Sequence, residues 1–266
     1  MTNRIGVDIG GTFTDLVLEG DNNIKKIGKV LSTPNNLVEG VLKAIEISEA
    51  DLNKTELFIH GTTAGINSIL ERKGAKVALI TTLGFKDVYM IGRGHRNDMF
   101  NLRYRKPAPL LKREDIFEVK ERIGADGEIL EELDYRSLEL IVKRIKSIGY
   151  EVVAVSLIHS YINPDHELKI KNFFNENFTD IPVVISHETA PEWREYERTS
   201  TTVVSAYVTP IVKDYLANLS RELKQKKLKV PLHITQSNGG SMTANQASNQ
   251  AVLTLFSGPV GGVVGG

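Results

Sequence analysis

The chain opens on strict alternation. Ile5, Val7 and Ile9 are separated by Gly6 and Asp8, the period of a strand. After Gly10-Gly11-Thr12 comes a second β-prone run, Phe13 to Leu18, so the unit predicts a hairpin. Ile24 to Val30 fits a third antiparallel strand. The period then changes: Leu37, Val38, Val41, Leu42 and Ile45 recur at helical spacing. Leu57-Phe58-Ile59 predicts a short buried strand that ends in His60-Gly61-Thr62-Thr63. Ile66, Ile69 and Leu70 predict a helix closed by Gly74, and Val77 to Thr81 another strand.

Strand, strand, strand, helix, strand, helix, strand is the order of a ribonuclease-H-like α/β fold. Its sheet is mixed, with the antiparallel hairpin first and parallel strands added through helices. Residues 84–134 break the regularity. They are rich in Arg, Lys, Gly and Pro and read as an insertion rather than as core. Alternation resumes with a helix carrying Leu138, Ile141, Val142, Ile145 and Ile148. A strand at 152–157, a helix through Phe173 and a strand at 183–185 follow. A second helical region spans Pro191 to Lys226, interrupted at Pro210, and Leu232 to Thr235 is a further strand. The expected division is a ribonuclease-H-like domain over 1–185 and the start of a second region over 186–266.

At 266 residues, 41% hydrophobic and 25% charged, the chain has the composition of a globular protein. The formal net charge is zero, which gives no general electrostatic case for nucleic acid or an anionic membrane. The absence of cysteine excludes disulfides, thiolate nucleophiles and Cys-based metal sites, and fits a cytoplasmic protein. No apolar run approaches the roughly 18 residues of a membrane span.

The first hairpin carries the strongest candidate chemistry. A Gly-Gly turn permits positive φ and lets backbone amides approach a ligand, so it can cradle a phosphate. Asp8, read as a carboxylate buried within its strand, needs a partner or a metal there. Asp8 and Asp15 are candidates to hold the accompanying Mg²⁺. The spacing lacks the G-x-G-x-x-G of a Rossmann turn and the Gly-Lys-Ser/Thr of a P-loop. The bland alternative is a plain Asp/Gly turn. His60, Thr62 and Thr63 follow a strand end and read either as ligand contacts or as a helix cap with a packing histidine. Arg93, His95, Arg96 and Arg103 suit a substrate carboxylate or a solvated loop. His159, His166 and His187, with neighbouring carboxylates, lack the tight spacing of a metal site. His187-Glu188 follows a strand, so Glu188 can still reach a cleft. Thr199 to Thr202 place hydroxyls mid-helix, which favours contact with a cleft or partner. Ser237-Asn238-Gly239-Gly240 is a second ligand-facing or plain turn. Gly258, Gly261 and Gly262 lie in a small-residue run with helical spacing at Val260, Val263 and Val264. The run stops mid-pattern, as in a fragment.

Together these motifs resemble the hydantoinase/5-oxoprolinase family, across essentially the whole chain. The carriers are Gly-Val-Asp-Ile-Gly-Gly-Thr-Phe-Thr-Asp at 6–15, His-Gly-Thr-Thr at 60–63, Glu71 to Ala75, and Thr81 to Asp87. Further carriers are Glu121-Arg122-Ile123, His166-Glu167, Ser186-His187-Glu188, Glu197 to Thr202, Gln236 to Gly240 and Ser257 to Gly262. The first motif alone is shared with sugar kinases and other actin-like ATPases, but a repressor-type sugar kinase needs a Cys-rich zinc motif. The resemblance implies an actin-type lobe that uses ATP and Mg²⁺ to phosphorylate a cyclic amide, such as a hydantoin or 5-oxoproline, for ring opening. By similarity Asp8, Gly10, Gly11, Thr12 and Thr14 match the first phosphate motif, with Asp8 holding the metal. Read from their own positions, His60 and Thr62 join Asp8 as expected catalytic residues, and Asp15, Gly258, Gly261 and Gly262 join the expected phosphate contacts. Thr63, Arg96, Glu188 and Asn238 are the expected substrate contacts. The alternatives are an acetone- or acetophenone-carboxylase-type subunit acting on a ketone, and a non-catalytic nucleotide- or partner-binding fragment. The implied partners are a C-terminal lobe and a B-type subunit, and an oligomer is compatible. A second phosphate loop is expected beyond the Ser-Gly-Pro segment, so this chain is expected to hold half a nucleotide cleft and to be inactive alone.

Overall fold

The computed structural model describes residues 3–20, 25–34, 36–94, 96–258 and 260. The chain divides into two compact units, Met1–Gly74 with Val208–Gly266, and Ala75–Tyr207.

The first unit begins with the hairpin β1 (Asn3–Ile9) and β2 (Phe13–Glu19), then β3 (Lys25–Leu31), all antiparallel. Helix α1 (Leu37–Ile47) leads to β4 (Thr55–Gly61), which pairs parallel with β1, and α2 (Ala64–Leu70) follows. Helix α1 buries Val41, Ala44 and Ile45. Ile5, Val7, Ile9, Leu16, Leu18 and Phe58 form the apolar face of the strands.

The second unit opens with β5 (Val77–Thr82), α3 (Val88–Ile91) and β6 (Ile116–Val119). A small ladder of β7 (Arg122–Ile123) and β8 (Ile129–Glu131) precedes α4 (Tyr135–Ile148), β9 (Val152–Ser156), α5 (Asp165–Asn177), β10 (Val183–Ile185) and α6 (Ser186–Thr189). Its main sheet is wholly parallel in the order β10-β9-β5-β6. Strands β5 and β9 are buried along their whole length, as central parallel strands are. The core includes Ile80, Val142, Ile145, Val155, Ile170 and Phe174.

Helix α7 (Glu195–Gln225) ends the second unit and resumes the first. It runs through Pro210 without the expected interruption. Val203, Ala206, Tyr207, Val208, Val212, Leu216 and Leu219 are buried along it. That burial outweighs the roughly 3 kcal/mol that an internal proline costs. Strands β11 (Leu232–Thr235) and β12 (Ser241–Thr243) then complete the first sheet, followed by α8 (Ala244–Asn249).

The first sheet runs β12-β11-β4-β1-β2-β3. Its β3-β2-β1-β4 portion is the expected ribonuclease-H-like arrangement. The strand beside β4 is β11, not the expected Val77–Thr81, which lies in the other sheet. A buried apolar strand suits either position equally, so periodicity could not choose. The expectation that 84–134 lies outside the core fails at β6, where Ile116 and Val119 are fully buried. Charged flanks at 112–115 and 120–122 hid this short apolar run. The second unit is closed at its ends, where the Ala75 N–H donates to Tyr207 O at 3.0 Å. Residue 185, the expected domain boundary, falls inside it. Among the described residues no helix is long and apolar enough to cross a membrane.

Candidate functional site

Strand alternation sets the site. Ile5, Val7 and Ile9 face the core, so Asp8 stands on the opposite, exposed face with Arg4 and Gly6. This corrects the expectation of an Asp8 buried in the core. In register, Asp8 lies between Asp15 on β2 and Gly61 on β4. A Cβ on Gly61 would collide with Asp8 Oδ1, and one on Gly258 would stand 3.3 Å from the same oxygen. Crowding removes water from one side of the Asp8 carboxylate, and this desolvation, with the charge of Asp15, raises its pKa. Asp15 itself is tied to Lys29 Nζ at 2.7 Å.

The turn is braced from outside. The Gly10 N–H donates to Phe13 O at 2.8 Å, the Ser32 hydroxyl donates to Gly10 O at 2.8 Å, and the Ser32 N–H donates to Thr12 O at 2.8 Å. Gly11 and Thr12 are exposed, and their N–H groups have no partner among the described residues. Neither Gly10 nor Gly11 takes the expected positive φ. Gly11 faces open space, with nothing within 4 Å of where its Cβ would be, while a Gly10 Cβ would stand 3.2 Å from Phe13 O. Thr14 departs from its expected role. It is buried on the core face, its hydroxyl 3.2 Å from that of Ser32, because alternation turns it away from Asp15.

His60 also departs from expectation. It is 0% exposed. Its Nδ1 lies 3.2 Å from Val7 O and its Nε2 2.6 Å from the Tyr215 hydroxyl. A carbonyl only accepts, so Nδ1 carries the proton and Nε2 accepts from Tyr215. Burial holds its pKa down at about 4, so the ring is neutral and supports the core beneath Asp8. Thr62 is buried, and its hydroxyl accepts from the Ala64 N–H at 3.2 Å, one residue ahead of the N-cap Thr63, whose side chain makes no capping bond. Thr63 Oγ1 accepts from Asn67 Nδ2 at 3.2 Å.

Of the other expected site residues, Gly258 stands against Asp8. Gly261 and Gly262 lie outside the described residues. Asn238 shapes the β11–β12 turn by accepting from the Gly240 N–H at 2.9 Å. Glu188, in the second unit, is held by Lys171 at 2.5 Å, which accounts for its charge. Arg96 is exposed in an irregular segment. The Thr199–Thr202 hydroxyls are satisfied internally in three cases. Thr201 and Thr202 donate to carbonyls one turn back, and Thr199 meets Ser156 at 2.8 Å.

Three site residues were not singled out from sequence. Gly61 leaves room for Asp8, and Thr235 donates to His60 O at 3.4 Å beside Gly61. Ser257 bonds the Thr62 backbone on both sides, at 3.3 and 3.4 Å, and so holds the Gly258 segment in place. Their signal was position: each borders a strand end or a glycine motif.

In the second unit His166, Glu121 and Glu167 are committed to buried bonds. His166 Nδ1 meets Glu121 Oε2 at 2.7 Å, and Glu121 also accepts from Thr82. Glu167 accepts from the Leu157 N–H at 2.9 Å, Ser186 Oγ at 2.7 Å and the His187 N–H at 2.9 Å, and burial raises its pKa. No cluster of three or more His, Asp or Glu side chains forms a metal cage among the described residues.

The family profile for the hydantoinase/oxoprolinase N-terminal region matches residues 4–178, and that for hydantoinase/oxoprolinase matches residues 198–266. An uncharacterized protein of Methanocaldococcus jannaschii is 42% identical over 98% of this chain and 39% of its own length. The acetophenone carboxylase gamma subunit of Aromatoleum aromaticum is 31% identical over 99% of this chain and 38% of its own. A crystal structure of the ATP-dependent caprolactamase of Pseudomonas jessenii superposes with a TM-score of 0.88 at 30% identity, covering 97% of this chain and 39% of that one. The chain thus spans about two fifths of the length of these relatives. With its mixed sheet, its Asp8 hairpin and these matches, the chain belongs to the hydantoinase/oxoprolinase family.

Proposed function

We propose that this chain is the N-terminal portion of an ATP-dependent enzyme that opens a cyclic amide, and that its first unit supplies one half of the nucleotide site. The observation that carries this reading is Asp8 on the exposed face of β1 with Gly258 against its carboxylate, followed by a turn whose Gly11 and Thr12 amides have no partner among the described residues. The donor set fits Mg²⁺, which keeps several waters and takes one or two carboxylates plus phosphate oxygens rather than an all-protein cage. Asp8 would hold the ion, and the Gly11 and Thr12 amides would donate to phosphate oxygens. Lys29 pairs with Asp15 and offsets part of its charge beside the turn. Bound there, Mg-ATP would supply the phosphoryl group that gives a poorly electrophilic amide a good leaving group. The remaining nucleotide contacts would come from a C-terminal lobe.

Asp8→Asn in the full-length assembly should lower amide-dependent ATP hydrolysis by about 10- to 100-fold, as loss of metal-supporting groups does. Unchanged turnover would remove the metal assignment. The relationship to a carboxylase subunit supports a second reading, a ketone in place of the amide. Assays with hydantoin, 5-oxoproline, caprolactam and acetone separate the two, since only the dependent substrate raises ATP hydrolysis. A B-type partner subunit belongs to the same proposal. It is supported by Met99, Phe100 and Leu102, which stand 71%, 91% and 97% exposed in the segment after α3.

A further inference from the structure

The second unit has a cleft of about 330 Å³, the scale of a small-ligand site. Loops that follow the carboxyl ends of three neighbouring parallel strands build it. Arg93 comes after β5, His159 and Tyr161 after β9, and Trp193, Arg194 and Tyr196 after β10. Ligands of open α/β sheets bind at such carboxyl edges. Two features of the cleft, Trp193 and Arg194, point to a ligand. His159 and Arg194 are non-glycine residues in the left-handed region, at φ 56° and 82°, and Gly92 on the same wall lies at φ 58°. Local structure accounts for these angles: the His159 carbonyl accepts from the Ile162 and Asn163 N–H groups in a turn, Gly92 caps α3, and the Arg194 carbonyl accepts from the Arg198 N–H at the start of α7. Trp193 is 65% exposed, an unusual position for so large a ring. The Arg194 guanidinium stacks 4.6 Å from that ring and, after the hydrogen bond from Arg93, its charge helps to lower the Glu197 carboxyl's pKa, but it makes no ion pair within 4 Å among the described residues. Its neighbours are committed: Arg93 holds both oxygens of Glu197, at 2.7 and 2.8 Å, and Arg198 is bonded to Glu195 and to the carbonyls of Glu192 and Leu157.

We propose that this cleft binds a small carboxylate with a flat body, the body lying on Trp193 among Tyr161 and Tyr196, and the carboxylate taking the open fork of Arg194. A guanidinium presents paired N–H groups that match a carboxylate, and an aromatic shelf beneath it excludes water from the pair. The site uses residues of the second unit alone and stands apart from the nucleotide reading.

Trp193 is the only tryptophan of the chain, so its fluorescence reports this cleft directly. The 266-residue chain, with no nucleotide present, is titrated with 5-oxoproline and, separately, with 2-pyrrolidinone, the same ring without its carboxylate. Saturable change with 5-oxoproline is expected, and about tenfold or more weaker response to 2-pyrrolidinone, the worth of a charged hydrogen bond. Arg194→Gln and Arg194→Asn should both lose that preference; Asn tolerates the left-handed backbone, which guards against a folding artefact. Asp8→Asn should leave the titration unchanged, which keeps failure here distinct from failure of the nucleotide site. No saturable change into tens of millimolar, equal response to the two rings, or an undiminished response in both Arg194 variants would overturn the proposal.

Discussion

His60 shows how much one residue's environment decides. Its folded pKa of about 4 lies below the ordinary 6.5, because burial disfavours the charged ring. The unfolded chain therefore binds a proton more readily in that range. The stability tied to neutral His60 is complete above pH 6.5 and is lost progressively as pH falls toward 4, on the order of 3 kcal/mol in all. Urea unfolding of the wild type should thus weaken between pH 7 and 4.5 by more than that of His60→Gln. Equal losses would show that another group carries the acid sensitivity. Gly61 tests the crowding of Asp8 from the other side. A methyl there overlaps the carboxylate. Gly61→Ala should cost about 1–3 kcal/mol of stability in urea melts and, by displacing Asp8, reduce nucleotide-dependent activity in the full assembly. At this scale the sequence placed Asp8, Gly11 and Thr12 at the first hairpin, since motif and alternation lie within ten residues of each other, but it did not give the exposed face of Asp8 or the backbone angles of the glycines. It was not legible for Thr14 and His60. Which polar residues face a core depends on the layers that cover the strand, and here Tyr215 and Ser32 supply their partners.

At the level of elements, the hairpin β1–β2 and the helices α1 and α4 follow from periodicity, each burying the apolar stripe its sequence offers. Helix α7 does not. Pro210 marks a break by local rules, yet the helix continues across it because apolar residues on both sides are buried. Pro210→Ala restores an N–H that can bond the preceding turn, and loosens the unfolded chain slightly. A net gain of about 1–2 kcal/mol in urea unfolding is expected; a loss would mean that the proline shapes a bend the packing needs. The segment after α3 presents the opposite case, large apolar side chains left in water. Phe100→Ser with Leu102→Ser should leave the far-UV circular dichroism unchanged while weakening co-purification with the proposed B-type subunit. Unaltered association would remove this segment from the interface.

For the whole molecule, the decisive event is the insertion of residues 75–207 between α2 and the resumed first unit. The Ala75–Tyr207 hydrogen bond brings the ends of that insertion together, the arrangement that lets one domain interrupt another. The fragment 75–207 is accordingly expected to unfold cooperatively by itself; a non-cooperative melt would show that its parallel sheet depends on the remainder of the chain. The sequence by itself determined the class of the fold, the first hairpin, the amphipathic helices and the glycine turn with its carboxylate. These are set by side-chain period, turn chemistry and backbone sterics over a few residues. Only the tertiary structure decided that β11 rather than β5 lies beside β4, and that Gly61, Thr235 and Gly258 gather around Asp8. A buried apolar strand carries no label for its sheet. The partners of Asp8 lie far along the chain, and they meet only through the pairing of the strands.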